Sequence, residues 1–213
     1  MQLNPKLKTY IEQNIFPLYS QNEPGHGLKH IRYTINRSFQ FAGKIPNINY
    51  DIVYTVATYH DIGHHIDAKN HEKVSAEIMQ KDENLKQFFS PKGLKIIKEA
   101  IEDHRSSLPH DPRSVYGKII SSADRDYNVQ DCLIRAYLYG KKHHPDSTEA
   151  ELFDRSHQHL TEKFGENGYS KFYFQDTEYE NFLHEIRTLL ADKKKFIRAQ
   201  KKCIKNYLKS QKD

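Results

Sequence analysis

Residues 54–65 read YTVATYHDIGHH, and this stretch governs the interpretation of the whole chain. An apolar helical pattern leads into the pair His60-Asp61, which Gly63 and two further histidines follow. A buried carboxylate beside an imidazole is costly unless something positive holds both. A divalent metal is a standard partner, because neutral imidazole and ionised carboxylate are its nitrogen and oxygen ligands. By itself the dipeptide is more typical of an ordinary helix end with Gly63 as its left-handed cap, so the remaining sequence has to decide.

Apolar residues recur at helical spacing along the chain, and no segment keeps the alternation of a β-strand. We therefore predict an all-α fold, a helical bundle of roughly seven to nine helices. A chain of 213 residues is long enough to bury one sizeable core. We expect a single domain over residues 1–213, with a core motif region at 25–126 and C-terminal helices at 128–213.

Capping residues predict where helices begin and end. Helix starts are predicted after Asn4, Asn49, Asn70, Ser90, Asn128, Ser147 and Asp176. The helix that carries His60 is expected to end at Gly63, and the helix after Asn128 is expected to stop near Gly140. The last helix is expected to continue into the basic C-terminus.

Composition argues against several classes of protein. The chain has no 18-residue apolar run and no apolar segment typical of a signal peptide near its first residues, so we expect neither a membrane span nor secretion. The two cysteines, Cys132 and Cys203, are far apart in the sequence. A disulfide scaffold and a cysteine zinc site are therefore not expected, and a reducing cytoplasm fits this composition.

The positive charge of the chain is concentrated at its C-terminus. The net charge is +5, yet residues 193–213 contain nine Lys or Arg and a single Asp. Such a segment is able to bind nucleic acid or an anionic surface. We favour a solvated helix face, because Ile197, Ile204 and Leu208 keep the helical spacing of a docked terminal helix.

Possible metal ligands stand at the ends of several apolar helical patterns. They are His30, His60-Asp61, His104 and Asp124, and His71 opens a further helix. Core-facing polar groups must be paired, and convergence on a metal satisfies them together. Imidazole and carboxylate suit a divalent ion, and Asp61 has two oxygens with which to bridge two ions.

The order His30, His60-Asp61, Asp124 resembles the HD superfamily of metal-dependent phosphohydrolases. The surrounding residues are similar as well: HDIG at 60–63, HEKVSAE at 71–77, AIEDHR at 100–105 and SADR at 122–125. The resemblance implies a helical bundle in which His30, His60, Asp61 and Asp124 bind one metal. Two-metal members add two histidines, and His71 and His104 stand at the matching places.

The resemblance also implies a chemistry. One or two divalent ions (Mn, Mg, Fe, Ni, Co or Zn) would lower the pKa of bound water, and metal-bound hydroxide would attack a nucleotide or another small phosphate ester. Asp61 would orient the water or bridge the ions. The candidates for neutralising the phosphate are His64, Arg105, Arg125 and Lys29. The two arginines are equally able to pair with neighbouring carboxylates, those of Asp103 and Asp126.

The chain departs from the family at His64, where many two-metal members have lysine. An imidazole still binds phosphate or passes a proton, but its ordinary pKa of about 6.5 leaves it only partly charged at neutral pH. Asp124 is preferred to Asp126 as the last ligand, because it follows Ile120 by four residues. His26 and His30 are four residues apart, but for His26 we favour a hydrogen bond at the helix start over a place beside the ligands.

Three other functions remain open from the sequence, and one of them is a nucleic-acid binder that uses the basic C-terminal segment, which the salt dependence of binding would reveal. A few relatives with four histidines and two aspartates carry two irons and cleave C–C or C–P bonds with oxygen, so metal identity and oxygen dependence would separate them from hydrolases. The remaining alternative is a non-catalytic module that senses a nucleotide, although the intact ligand set argues against it. The expected partner is a small phosphorylated substrate, and we expect neither a membrane nor a nucleic-acid partner.

Overall fold

The computed structural model describes residues 3–125 and 127–210, and all regular secondary structure in these ranges is helical. The prediction of an all-α fold is confirmed. The described ranges contain ten α-helices, one more than the largest number predicted: α1 (Pro5–Asn14), α2 (Leu28–Ala42), α3 (Tyr50–Tyr59), α4 (His71–Lys81), α5 (Pro91–Glu102), α6 (Val115–Ala123), α7 (Val129–His143), α8 (Glu149–Phe164), α9 (Thr177–Leu190) and α10 (Lys193–Ser210). Short 3₁₀ turns occupy Phe16–Gln21, Pro24–His26 and Glu83–Gln87.

Side-chain caps begin several helices where the sequence predicts them. The Asn49 side chain accepts hydrogen bonds from the main-chain N–H groups of Asp51 (2.9 Å) and Ile52 (3.3 Å) at the start of α3. Ser90 Oγ accepts one from the N–H of Gly93 (3.3 Å) at the start of α5. These bonds satisfy N–H groups that have no partner within the helix.

Four predicted boundaries are wrong. Helix α3 ends at Tyr59 with His60 as its C-cap, so Gly63 lies beyond the helix. Helix α7 continues through Gly140 to His143. Thr148, and not Ser147, caps α8 through a capping box with Glu151. The predicted last helix is two helices, α9 and α10, separated at Ala191 and Asp192.

The start of α4 is where the sequence places it, but Asn70 does not cap it with its side chain. The Asn70 amide instead donates to Asp67 Oδ2 (2.8 Å) in the preceding turn. This turn connects the stretch after α3 to His71, so it positions one of the predicted ligands.

The chain divides into two compact units, Met1–Arg125 with Phe172–Phe174, and Asp126–Lys171 with Gln175–Asp213. The expectation of a single domain stays a prediction. In the first unit α2 packs against α3 and α6, and α5 packs against α3, α4 and α6. In the second unit α7, α8, α9 and α10 pack together around buried aromatic side chains, among them Phe153, Phe164, Phe182 and Phe196. Among the described residues, no helix combines the length and apolar character that crossing a bilayer requires.

Candidate metal centre

All six predicted metal ligands lie in the first unit, most of them at helix ends. His30 lies in the first turn of α2, and His71 is the first residue of α4. His60 and Asp61 follow the last turn of α3, while His104 and Asp124 follow α5 and α6. His60, Asp61 and His104 are almost completely buried, with 0%, 1% and 1% of their surface exposed.

The first group of ligand atoms consists of His30, His60, Asp61 and Asp124, whose donor atoms lie within 4.8 Å of one another. His30 Nε2 lies 3.1 Å from Asp124 Oδ1 and 3.5 Å from Asp61 Oδ2. His60 Nε2 lies 3.5 Å from the same Asp61 Oδ2 and 3.4 Å from His30 Nε2. The structure therefore brings these four side chains together.

The second group consists of Asp61, His71 and His104. Asp61 Oδ1 lies 3.3 Å from His71 Nε2 and 3.6 Å from His104 Nε2. The two Nε2 atoms are 3.0 Å apart. Asp61 thus belongs to both groups, with Oδ2 facing the first and Oδ1 facing the second.

Main-chain carbonyl groups fix the tautomers of three of the histidines. The Nδ1 atoms of His60, His71 and His104 lie 2.9, 2.9 and 2.7 Å from the carbonyl oxygens of Ala57, Ala68 and Ile101. A carbonyl oxygen only accepts, so each Nδ1 carries a proton and each neutral ring presents its Nε2 lone pair to the cluster. Two lone pairs 3.0 Å apart, as in His71 and His104, repel each other unless a proton or a cation lies between them.

The donor set fits a divalent cation. Asp61 Oδ1 is buried and has no hydrogen-bond partner among the described residues. A buried carboxylate oxygen without a partner costs free energy that a cation would recover. Imidazole nitrogen and carboxylate oxygen, without thiolate, are ligands for hard and borderline divalent ions.

The titratable groups of the cluster shift one another's pKa values. Burial disfavours a charged His60, but the carboxylates of Asp61 and Asp124 outweigh burial and raise its pKa to about 9. Burial also disfavours ionised Asp61 and Asp124, yet the surrounding histidines hold the pKa of both carboxyls well below the ordinary value. Burial and the neighbouring His104 lower the pKa of His71 to about 4. Protons and metal ions therefore compete for the same ligand atoms.

His64 lies at the edge of the cluster. Its ring stacks on His26, with centroids 3.7 Å apart and planes at 15°, and lies 5.2 Å from the ring of His71. Burial, with a smaller contribution from His26, lowers the pKa of His64. The role predicted for it in neutralising phosphate needs a positive charge that this environment disfavours.

The two arginines are placed differently from each other. Arg105 Nη1 donates to the main-chain oxygen of Lys69 (2.5 Å) and to Glu72 Oε2 (3.1 Å), and it does not pair with Asp103. The buried Asp103 pairs with Arg113 instead (2.8 Å). Arg125 is only 6% exposed, and its Nη2 donates to Ser121 Oγ (2.6 Å). The alternative partner Asp126 lies outside the described residues.

The sequence prediction missed Asn22, and for His26 it favoured a hydrogen bond at the helix start over a place beside the ligands. His26 Nδ1 lies 2.7 Å from Asp61 Oδ2, so its side chain contacts a proposed ligand. The four-residue spacing between His26 and His30 was a signal for this proximity. Asn22 Nδ2 donates to the main-chain oxygens of His26 and Asp61, both at 2.9 Å. No sequence pattern marks Asn22, because it binds the main chain of a segment 39 residues away.

A family model described as HD domain matches residues 27–128, just under half of the chain. Residues 27–128 are an HD domain. The match begins at the N-cap of α2 and ends at the N-cap of α7, so the HD domain includes all six predicted ligands and leaves out Asn22 and His26. Searches of curated proteins and of solved structures found no match.

Proposed function

We propose that the HD domain of this chain is a metal-dependent phosphohydrolase that acts on a nucleotide or another small phosphate ester. HD domains are generally metal-dependent phosphohydrolases, which supports the reaction class. The observation that carries the proposal is the placement of Asp61, whose two oxygens face two separate sets of histidine Nε2 atoms.

The six side chains have distinct roles in this proposal. His30, His60 and Asp124 would hold one divalent ion, His71 and His104 would hold a second, and Asp61 would be shared between them. Bound there, such ions would supply Lewis acidity toward the phosphoryl oxygens and a water of lowered pKa. The Nδ1–H groups of His60, His71 and His104 donate to main-chain carbonyl oxygens, so these rings are held in position with Nε2 facing the cluster.

Arg105 is the better placed of the two arginines to meet a phosphate. It is partly exposed, and among the described residues only its Nη1 makes hydrogen bonds, which leaves Nε and Nη2 to form a pair of bonds with a phosphate. The burial of Arg125 favours a role within the protein. Asp61 would orient the attacking water or bridge the ions, and His64 would contact the substrate as a neutral hydrogen-bonding group.

The test is a screen of nucleotides, sugar phosphates and aryl phosphates with the purified protein. Turnover should stop with a chelator and return with manganese, magnesium or another divalent ion. His60→Ala and Asp61→Ala should abolish it while helical content, measured by circular dichroism, stays nearly unchanged. Asp146→Ala, in an exposed loop, is the matched control. Binding of metal and nucleotide without any turnover would favour the sensor module instead.

One observation favours a second candidate function. The group of Asp61, His71 and His104 is a set of two histidines and one carboxylate, which is also the ligand set of non-haem iron oxygenases. The hydrolase should work equally well without oxygen. Product formation that requires reduced iron and oxygen, with no metal-dependent hydrolysis, would establish the oxygenase. Among the described residues neither Cys132 nor Cys203 forms a disulfide, which is in keeping with the cytoplasmic setting that we propose for either enzyme.

A further inference from the structure

Asp61 is in contact with one histidine, His26, that is not among the six predicted ligands. His26 Nδ1 lies 2.7 Å from Asp61 Oδ2, the shortest distance between Asp61 and any of the surrounding histidines. His26 belongs to a 3₁₀ turn before α2 and is partly exposed, whereas Asp61 is buried. The contact joins segments 35 residues apart in the sequence.

The chemistry of the two groups fixes the direction of this hydrogen bond. An ionised carboxylate only accepts, so His26 Nδ1 carries the proton and donates, whether the imidazole is neutral or charged. Each carboxylate oxygen has two lone pairs. Asp61 Oδ2 is therefore able to accept from His26 with one lone pair and still offer the other to a cation in the first group.

Hydrogen bonds from the Asn22 side chain hold the main chain of His26 in this position. Asn22 Nδ2 donates to the carbonyl oxygens of both His26 and Asp61. Asn22 Oδ1 accepts from the main-chain N–H (3.1 Å) and from Nδ1 (3.0 Å) of His65. A single amide thus joins the turn of His26 to the turn that carries Asp61. The ring of His26 also stacks on His64, which limits rotation of the imidazole.

We propose that His26 is a positioning residue of the metal centre, which orients the Asp61 carboxylate so that each oxygen faces one group of histidines. The proposal rests on the metal-dependent function proposed above and adds a role for a residue outside the HD-domain match. Without the donor, the carboxylate is free to rotate about its last side-chain bond and to turn both oxygens toward one ion. Hydrogen-bond partners of metal ligands typically contribute about 10–100-fold to metal affinity.

Three substitutions at position 26 separate the donor from the ring. His26→Phe keeps an aromatic ring for stacking on His64 and removes the donor. His26→Asn loses the ring but places an amide N–H where Nδ1 stands. His26→Ala removes both and replaces His26→Phe in the comparison if the larger ring prevents folding. The control is His110→Phe, at an exposed histidine whose Nδ1 faces its neighbour Asp111.

Titration of the metal-free proteins with Mn²⁺ is the measurement. His26→Phe should bind Mn²⁺ about 10–100-fold more weakly than the wild type. His26→Asn should recover most of that loss, and His110→Phe should bind like the wild type. The proposal is overturned if His26→Phe binds as tightly as the wild type, or if His26→Asn is as weak as His26→Phe. Circular dichroism should show the same helical content in every variant.

A measurement without metal separates this inference from the proposed function. Nitrogen-15 NMR of the histidine side chains in the metal-free protein should show a protonated Nδ1 on His26, with a proton that exchanges slowly with water. That slow exchange should disappear in Asp61→Ala. If the wild type takes up no divalent metal, the proposed function fails, and the NMR result still judges the hydrogen bond. An unprotonated Nδ1, or fast exchange in the wild type, overturns the inference.

Discussion

At the scale of single residues, Asp61 divides the proposed ligands into two sides, which single substitutions are able to distinguish. His71→Ala removes a ligand atom that lies 3.3 Å from Asp61 Oδ1 and leaves the first group complete. The variant should therefore lose one equivalent of bound metal and keep the other. Elemental analysis of protein grown in supplemented medium gives the stoichiometry, with His110→Ala as control. Loss of both equivalents, or a wild type with a single equivalent, would speak against a two-ion centre.

At Gly63 the packing between the turn after α3 and helix α4 leaves no space for a side chain. A Cβ atom at this position would lie 2.6 Å from Val74 Cγ1 and 2.9 Å from the main-chain nitrogen of Ser75. The N–H of Gly63 also donates to Ser75 Oγ (3.0 Å), so the turn after α3 sits directly on α4. A left-handed helix cap at Gly63 was the alternative that the dipeptide alone suggested, but Gly63 has no positive φ and is needed for this close approach.

Gly63→Ala should therefore force α4, and His71 with it, away from Asp61. We expect a loss of about 1–3 kcal/mol in the free energy of unfolding, the usual cost of overpacking, and weaker metal binding. Urea denaturation and Mn²⁺ titration measure the two effects. Gly25→Ala is the matched control, because an added Cβ there meets nothing within 4 Å. A variant as stable as the wild type would show that α4 adjusts without cost.

At the scale of helices, the sequence predicted starts better than ends. Starts at Asn4, Asn49 and Ser90 depend on a local side-chain hydrogen bond, which a short stretch of sequence is enough to specify. The end of α7 depends on packing across the bundle. Gly140 lies within α7 and packs closely against Leu152 of α8, since an added Cβ would lie 3.3 Å from the leucine side chain. The residues of the candidate site differ in the same way. The ligands at helix ends were predictable from local sequence patterns, whereas Asn22 and His26 contact a segment that is distant in the sequence.

Helix α10 tests the expectation that the basic C-terminal segment is structural. Phe196, Gln200 and Ile204 are buried in the second unit, and Gln200 Nε2 donates to the main-chain oxygen of Leu133 (2.8 Å). Phe196→Ala should lower the free energy of unfolding by roughly 3–5 kcal/mol, because it removes a fully buried ring. Lys194→Ala, on the exposed face of the same helix, should change it by less than about 0.5 kcal/mol.

The alternative to a structural role is that the basic face of α10 binds nucleic acid. Removal of the residues after Ala199 should expose apolar surface and lower stability, with little effect on affinity for DNA or RNA. Duplex binding measured over a range of salt concentrations makes the comparison. Tight, steeply salt-dependent binding by the wild type that Lys194→Ala weakens without loss of stability would assign the basic face to a nucleic-acid partner.

At the scale of the whole molecule, the proposed ligands come from five separate segments of the first unit, and the second unit contributes none of them. A cation that binds only the folded state stabilises it by RT ln(1 + [L]/Kd), about 2.7 kcal/mol at a hundredfold excess over Kd. A bound cation would also remove the repulsion between the facing lone pairs of His71 and His104. Metal should therefore stabilise the helices that carry ligands.

Amide hydrogen exchange with and without chelator should show where metal acts. Protection should fall on metal removal in the segments around His30, His60, His71, His104 and Asp124, because their local opening would no longer cost the binding free energy. Helices α8 and α10, which belong to the second unit and carry no proposed ligand, provide the internal reference. Asp61→Ala, which lacks the shared ligand, should show the low protection with or without metal. A change confined to α8 and α10, or an equal change in Asp61→Ala, would place the metal elsewhere in the chain.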